Sequence, residues 1–259
     1  MPWNRQVARR AQQHAQNMDM TFKNAILNCA KQSKIYRNSI SFDLPAQSYT
    51  KQNLIVLEPE TTTEAIFRYV GQGKKVAALN FASYKEPGGK FLEGSTAQEE
   101  SLCHTSFLYN VLREHQDYYD ENRKNLNRGL YTNAAIYSPD VGFTKDSGFN
   151  WASADIITCA APNWGTAEKN GVNHDENLLA LTSRCLFVLD IALANKVDTL
   201  ILGAYGCGVF KQDPVEVCNT FLELLDRFGK TFDTVVFAIP ASGNNYSTFS
   251  QLIENHKKI

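Results

Sequence analysis

Hydrophobic and polar positions alternate in blocks along the chain, and these blocks predict strands and helices in turn. Short apolar runs predict strands at residues 54–57, 76–80, 131–138, 154–159, 199–203 and 234–239. Apolar positions at helical spacing predict helices at residues 62–71, 98–115, 173–195, 213–228 and 246–257. Strands that alternate with helices are typical of an α/β sandwich, so we expect a ligand cleft at the carboxyl ends of the strands.

The N-terminal residues follow a different pattern. Residues 4–33 are polar, with one apolar position every three to four residues, which predicts one or two helices carrying a narrow apolar stripe: Val7, Ala11, Ala15, Met18, Phe22, Ile26 and Cys29. We interpret residues 1–50 as a helical extension packed on a main domain of residues 51–259. Turn-forming residues predict irregular structure over residues 35–53.

Two further predictions concern the middle of the chain. The strand, helix and strand within residues 54–80 predict a parallel strand pair with a right-handed crossover. Residues 117–128 are highly charged and show no clear apolar stripe, which predicts a surface loop.

Composition narrows the possible classes of function. The chain has 259 residues and is 43% hydrophobic, enough for one buried core. Its formal charge of −1 excludes a global field that attracts polyanions, so any anion must bind locally. Six scattered cysteines without a CxxC pair are typical of reduced thiols, and we expect a cytoplasmic monomer.

Metals, cofactors and membranes are not expected. The five histidines show no ligand spacing, which argues against a metal site. No apolar stretch is expected to span a membrane, and the first 17 residues lack the hydrophobic region of a signal peptide.

A glycine-rich loop follows the strand at residues 76–80. It contains Pro87, Gly88, Gly89 and Gly94, and a helix is expected to begin after it near Gln98. Glycine amides can approach a sugar or phosphate closely, and a helix start adds unpaired N–H groups at the positive end of the helix dipole. The sequence therefore predicts a ligand-binding loop at this place.

Two adjacent carboxylates, Glu99 and Glu100, lie in the first turn of that helix. Successive helical side chains point about 100° apart, so one can face a reacting bond while the other holds the ligand. Their mutual repulsion and an apolar wall are expected to raise the pKa of one of them, as a general acid requires. Ordinary helix capping is the alternative, and the adjacent glycine loop favours the active site.

A second glycine-rich loop, Gly203-Ala204-Tyr205-Gly206-Cys207-Gly208-Val209-Phe210, follows the strand that begins at residue 199. Three glycines can turn several amides toward one point, which suits a diphosphate. The spacing matches neither a dinucleotide fingerprint nor a P-loop, so a tight packing turn is an equal alternative. Cys207 could be read as a reactive thiol, but a packing role is favoured.

These residues carry a resemblance to a known family. Pro87-Gly88-Gly89 followed by Gln98-Glu99-Glu100 resembles the signature loop of poly(ADP-ribose) glycohydrolases, and Asn80-Phe81-Ala82-Ser83 resembles their bacterial-type branch. The family usually has a third glycine where this chain has Lys90. The second loop resembles the family's diphosphate loop, and the likeness covers roughly residues 54–249.

The resemblance implies a macrodomain-like α/β/α sandwich with a central mixed, mainly parallel sheet. It implies cleavage of the ribose–ribose O-glycosidic bonds of poly(ADP-ribose), releasing ADP-ribose, with Glu100 as general acid and then base and Glu99 on the ribose hydroxyls. The remaining residues that it assigns to substrate binding are Asn80, Ala82, Gly88, Gly89, Gln98, Asn163, Gly206, Cys207, Gly208, Val209 and Phe210. It implies no metal and no cofactor.

Two alternatives stay open at this point. One is removal of a single ADP-ribose from a modified protein or nucleic acid, which would use the same loops. The other is a non-catalytic ADP-ribose-binding macrodomain, which Lys90 would allow and the pair of Glu99 and Glu100 argues against.

Overall fold

The computed structural model describes residues 5–37, 53–145, 150–228 and 231–258. The strands in this part of the chain are β1 (Lys34–Arg37), β2 (Leu54–Glu58), β3 (Val76–Phe81), β4 (Ala134–Lys145), β5 (Asn150–Cys159), β6 (Thr199–Leu202) and β7 (Thr234–Ala238). The helices are α1 (Arg5–Gln32), α2 (Thr62–Tyr69), α3 (Gln98–His104), α4 (Leu108–Leu112), α5 (Gln116–Lys124), α6 (Trp164–Ala167), α7 (His174–Ala194), α8 (Pro214–Phe228) and α9 (Asn244–His256).

The strands form one mixed sheet with the order β1-β4-β5-β3-β6-β7-β2. The five strands from β5 to β2 run parallel, and β1 and β4 are antiparallel to their neighbours. The predicted mainly parallel α/β fold is confirmed. The predicted pairing of β2 with β3 is wrong, because β6 and β7 lie between them. β3 is buried along its length and takes the centre, whereas Leu54 of β2 is exposed at the edge.

Helices cover both faces of the sheet, so the fold has three layers. Along β3, Ala77 and Leu79 face the core formed with α7, α8 and α9, and Val76 and Ala78 face the core formed with α1 to α5. This alternation explains why β3 reads as a continuous apolar run: both of its faces are buried.

The N-terminal helix α1 contacts α4, β4 and the short 3₁₀ turn Phe91–Glu93. It is kinked at Phe22, which has φ −120° and ψ 20°. The prediction of irregular structure is wrong for residues 35–37, which belong to β1 and pair with β4, and residues 38–52 of that segment lie outside the described residues. The proposed domain boundary at residue 50 also falls outside them and stays a prediction.

Two predicted elements differ from the structure. Residues 117–128 are not a surface loop, because α5 includes most of them and buries Tyr118 and Tyr119. The sequence pattern did not reveal this helix, because charged residues surround the two buried tyrosines. The helix predicted at 98–115 is interrupted between α3 and α4, because the Thr144 N–H donates to the Thr105 carbonyl at 2.7 Å and Ser106 bridges to Phe143. The hairpin of β4 and β5 therefore breaks this helix.

The helix α7 corrects the expectation that no stretch is suited to span a membrane. By length and composition alone, with a mean hydropathy of 1.6, this helix could cross a membrane. However, its buried side chains, including Leu181, Cys185 and Val188, pack in the core beside β5 and α8. Helices in a protein core are often as long and as apolar as this one, so α7 is weak evidence for a membrane span.

Candidate active site

The first glycine-rich loop leaves the carboxyl end of β3 and leads into α3, which places Glu99 under the loop. The Glu99 side chain is only 3% exposed. Its Oε1 accepts a hydrogen bond from Asn80 Nδ2 at 3.2 Å, and its Oε2 accepts one from the Ser83 N–H at 2.7 Å. Burial, to which the charge of Glu100 adds, raises the pKa of Glu99 to about 8. Burial therefore favours the protonated form of Glu99.

Glu100 occupies the next position and is held differently. It is 7% exposed, and its Oε1 accepts a hydrogen bond from the backbone N–H of Lys90 at 2.9 Å. No donor from the described residues reaches its Oε2. Glu100 thus keeps one oxygen available to a ligand, whereas both oxygens of Glu99 already have protein partners.

Gly88 and Gly89 bring the backbone against these carboxylates. Their φ angles are +66° and +59°, a region that favours glycine. A Cβ on Gly89 would lie 2.6 Å from Glu100 Oε1 and 2.9 Å from Glu99 Oε2. A Cβ at Gly89 would therefore displace the carboxyl groups, so their position depends on glycine at this place.

Three other predicted binding residues support the start of this loop. Gln98 accepts from the Phe81 N–H at 2.8 Å and donates to the Leu79 carbonyl at 2.9 Å. Asn80 is fully buried and donates to Glu99 and to Thr158 Oγ1, and the buried Ala82 bonds through its N–H to the Asn80 carbonyl. Direct contact of these side chains with a ligand stays a prediction.

The second glycine-rich loop, residues 203–210, follows β6, which is the neighbour of β3. Gly206 has φ +76°, and a Cβ there would lie 2.8 Å from Ala161 Cβ. No hydrogen bond from the described chain occupies the N–H groups of Gly206, Gly208, Val209 and Phe210. Gly208 faces open space and Val209 is 79% exposed. These free amides can donate hydrogen bonds to an anion.

A cleft of about 830 Å³ opens beside the second loop. Its wall includes Gln98 and Ser101 of α3, Phe67 of α2 and the stretch Gly208 to Phe210 of the second loop. Glu99 and Glu100 do not line this cleft, because they lie on the other side of α3. The cleft and the carboxyl pair therefore lie on different faces of α3, as the two parts of the candidate site.

A row of aromatic rings connects the two loops. Tyr84 of the first loop stacks on Tyr131 with 4.2 Å between ring centroids, and Tyr131 meets the Phe210 ring edge-on at 6.0 Å. Phe210 also lines the cleft, so it lies where the two parts of the site meet. The sequence pattern did not single out Tyr84 or Tyr131.

Two predicted residues have local structural partners. Asn163 caps α6, its Oδ1 accepting from the Thr166 N–H at 3.1 Å. Burial raises the pKa of the Cys207 thiol to about 12, and its Sγ contacts the Tyr205 carbonyl at 3.7 Å. The Cys207 thiol is therefore not activated, consistent with the packing role.

Three supporting residues were missed by the sequence reasoning. Gln212 Nε2 donates to the Pro162 carbonyl at 2.8 Å and exchanges hydrogen bonds with Asn177, which fixes the end of the second loop. Arg184 is buried and donates to the carbonyls of Leu130 and Ala160. The sequence could have pointed to Arg184, because it is a charged residue within the apolar stripe of α7. Among the described residues, no group of His, Cys, Asp or Glu could hold a metal.

Comparison with known proteins decides the family. Residues 5–146 match the family model described as microbial-type PARG, catalytic domain, where PARG denotes poly(ADP-ribose) glycohydrolase. The chain belongs to this family. No curated protein matches this PARG-family chain.

Solved PARG structures agree with this assignment. PARG from Thermomonospora curvata is 28% identical, with a TM-score of 0.86 and coverage of 96% of this chain and 99% of that chain. The same protein bound to the inhibitor ADP-HPD is 30% identical, with a TM-score of 0.85 and coverage of 96% and 100%. PARG from Deinococcus radiodurans in complex with ADP-ribose is 34% identical, with a TM-score of 0.79 and coverage of 89% and 97%.

Proposed function

We propose that this chain hydrolyses the ribose–ribose O-glycosidic bonds of poly(ADP-ribose) and releases ADP-ribose. The observation that carries the proposal is the union of a buried carboxyl pair at one glycine loop with a row of free amides at the neighbouring loop. A terminal ribose fits the first part and a diphosphate fits the second. Membership of the PARG family supports the same reaction.

Glu100 is the residue we assign as general acid. Its free oxygen can donate a proton to the leaving ribose oxygen as the bond from that oxygen to C1″ breaks. A water molecule then forms the new C1″–O bond and gives a proton to the Glu100 carboxylate. One water is consumed, Glu100 regains its proton and ADP-ribose is released.

The remaining groups bind and orient the substrate. Glu99, fixed by Asn80 and Ser83, is assigned to the ribose hydroxyls. The amides of residues 206–210 would hold the diphosphate, whose negative charge offsets the positive charge of an oxocarbenium-like transition state. Since Gly88 and Gly89 carry no side chain, the ribose can approach their backbone.

One experiment separates this function from its alternatives. The protein is incubated with labelled poly(ADP-ribose) and, separately, with a mono-ADP-ribosylated protein, and the products are resolved by chromatography. We expect ADP-ribose from the polymer. Release from the mono-ADP-ribosylated protein alone would establish the second enzyme activity, and binding of both without release would establish a reader; either result would overturn the proposal.

The assembly and location of the protein stay predictions. We expect a monomer in the cytoplasm that acts without a membrane partner. Gel filtration with light scattering tests the first of these expectations.

A further inference from the structure

Lys90 is the first residue after the glycine pair that carries a side chain. Its φ of −102° is ordinary for a residue with a Cβ, so a lysine causes no backbone strain there. The side chain is 74% exposed, and its only ion pair among the described residues is a long one, with Nζ 3.7 Å from Glu93 Oε2. Lys90 therefore presents a nearly free cation at the loop surface.

The backbone of Lys90 contacts the proposed acid. Its N–H donates to Glu100 Oε1 at 2.9 Å, which leaves the side chain within its own length of the carboxyl group. Lys90 is absent from the wall of the cleft that adjoins the second loop. Lys90 thus contacts the acid through its backbone, and its side chain lies outside the cleft assigned to the ADP-ribose unit.

We propose that Lys90 binds the diphosphate of the polymer unit that leaves when the bond is cleaved. This inference rests on the proposed function. The leaving oxygen belongs to the adenosine ribose of the next unit, and that ribose carries a diphosphate. Negative charge must then lie near Glu100 on the leaving side, where the ammonium group of Lys90 can pair with a phosphate.

The neighbouring charges permit this contact. Among the described residues, Glu93 is the one acid paired with Lys90, and an exposed pair at this distance is weak enough for a phosphate to displace it. Glu86 of the same loop is paired with Arg123 at 3.1 Å. Lys85, also exposed and in this loop, adds a second positive charge and makes no ion pair with the rest of the described chain.

The test compares two substrates that differ only on the leaving side. One is poly(ADP-ribose), and the other is ADP-ribose whose terminal ribose carries an uncharged 4-nitrophenyl aglycone at C1″. For Lys90→Gln we expect the ratio of kcat/KM on the polymer to kcat/KM on the aglycone substrate to fall about fivefold, the effect of one exposed ion pair. The slope of log(kcat/KM) on the polymer against log[salt] should weaken by about 0.7.

Matched variants define the outcomes. Lys90→Arg should restore the ratio to within about twofold, and Glu93→Gln should raise it by releasing Lys90. Lys258→Gln, at an exposed position just after α9, should not change it. An equal fall on both substrates, or an unchanged ratio and salt slope in Lys90→Gln, would overturn the inference. Failure of the proposed function would look different, since the wild-type protein would then not hydrolyse the polymer.

Discussion

The two glycine loops differ in how their polar groups are used. In the first loop, the amides of Ser83 and Lys90 already bind carboxylate oxygens, and Glu99 and Glu100 are buried. In the second loop, the amides from Gly206 to Phe210 are largely free. The polar groups of the first loop already have protein partners, whereas the second loop offers donors that a ligand can satisfy.

This difference indicates that the first loop serves catalysis and the second serves binding. Catalysis depends on an acid held in position before the reaction, because its reorganisation would otherwise add to the barrier. Recognition of a diphosphate depends on open amides. Changes in the first loop should therefore lower kcat, and changes in the second should weaken binding.

The largest expected effect follows from Glu100→Gln. The amide can still accept from Lys90 but cannot deliver a proton, so we expect kcat on poly(ADP-ribose) to fall about 10²- to 10⁴-fold. Calorimetric titration should show ADP-ribose binding within about threefold of wild type. Glu223→Gln, on an exposed face of α8, serves as the control. Equal losses of binding and turnover would contradict the assigned role.

Gly89→Ala tests the contact between glycine and carboxylates. The added Cβ would lie 2.6 Å from Glu100 Oε1, and the displaced acid should reduce kcat about 10²-fold. Gly73→Ala is the matched control, because Gly73 also has a positive φ, +70°, but nothing within 4 Å of its Cβ position. If both variants lose only stability and neither loses kcat, the proposed organisation of the first loop is wrong.

Gly206→Ala tests the second loop. A Cβ at this position would lie 2.8 Å from Ala161 Cβ and 2.9 Å from Gln212 Cγ, so the loop must shift. We expect the Kd for ADP-ribose to rise about tenfold while kcat at saturation changes less than about threefold. If only kcat falls and the Kd is unchanged, the assignment of ligand binding to the second loop is wrong.

Glu99→Gln tests the buried proton through stability. The folded protein keeps a proton on Glu99 that the unfolded chain releases above pH 4.5, so this group stabilises the fold most below that pH. Its contribution falls by roughly 1.4 kcal/mol per pH unit up to about pH 8. Because glutamine does not titrate, the free energy of unfolding of the variant should increase relative to that of wild type as pH rises from 5 to 8. Thermal denaturation at several pH values measures this difference. If the stabilities of the two proteins change equally with pH, the raised pKa of Glu99 is contradicted.

Much of this organisation could be predicted from the sequence for a physical reason. The central strand β3 is buried on both faces and must be apolar, while the loop that follows needs glycines at positive φ. Both features leave local signals. The order of strands does not: the separation of β2 from β3 depends on which strand has two covered faces, and the short pattern of β2 did not mark it as an edge.

The site itself was only partly predictable. Glu99 and Glu100 stand next to each other in the chain, but which of them would be fully bonded depends on Asn80, Ser83 and Lys90 reaching them through the fold. The raised pKa expected for one member of the pair belongs to Glu99, the residue assigned to the ribose hydroxyls, and its main cause is burial. The stack of Tyr84 on Tyr131 could not be predicted, because it joins distant residues, one of them in a left-handed backbone conformation.

The central claim is that the two loops bind one ligand. A crystal structure of Glu100→Gln with ADP-ribose tests it most directly. We expect the diphosphate on the amides of residues 206–210 and C1″ of the terminal ribose beside the residue 100 side chain, above Gly88 and Gly89. A ligand whose terminal ribose points away from the first loop, or whose diphosphate lies elsewhere, would contradict the account.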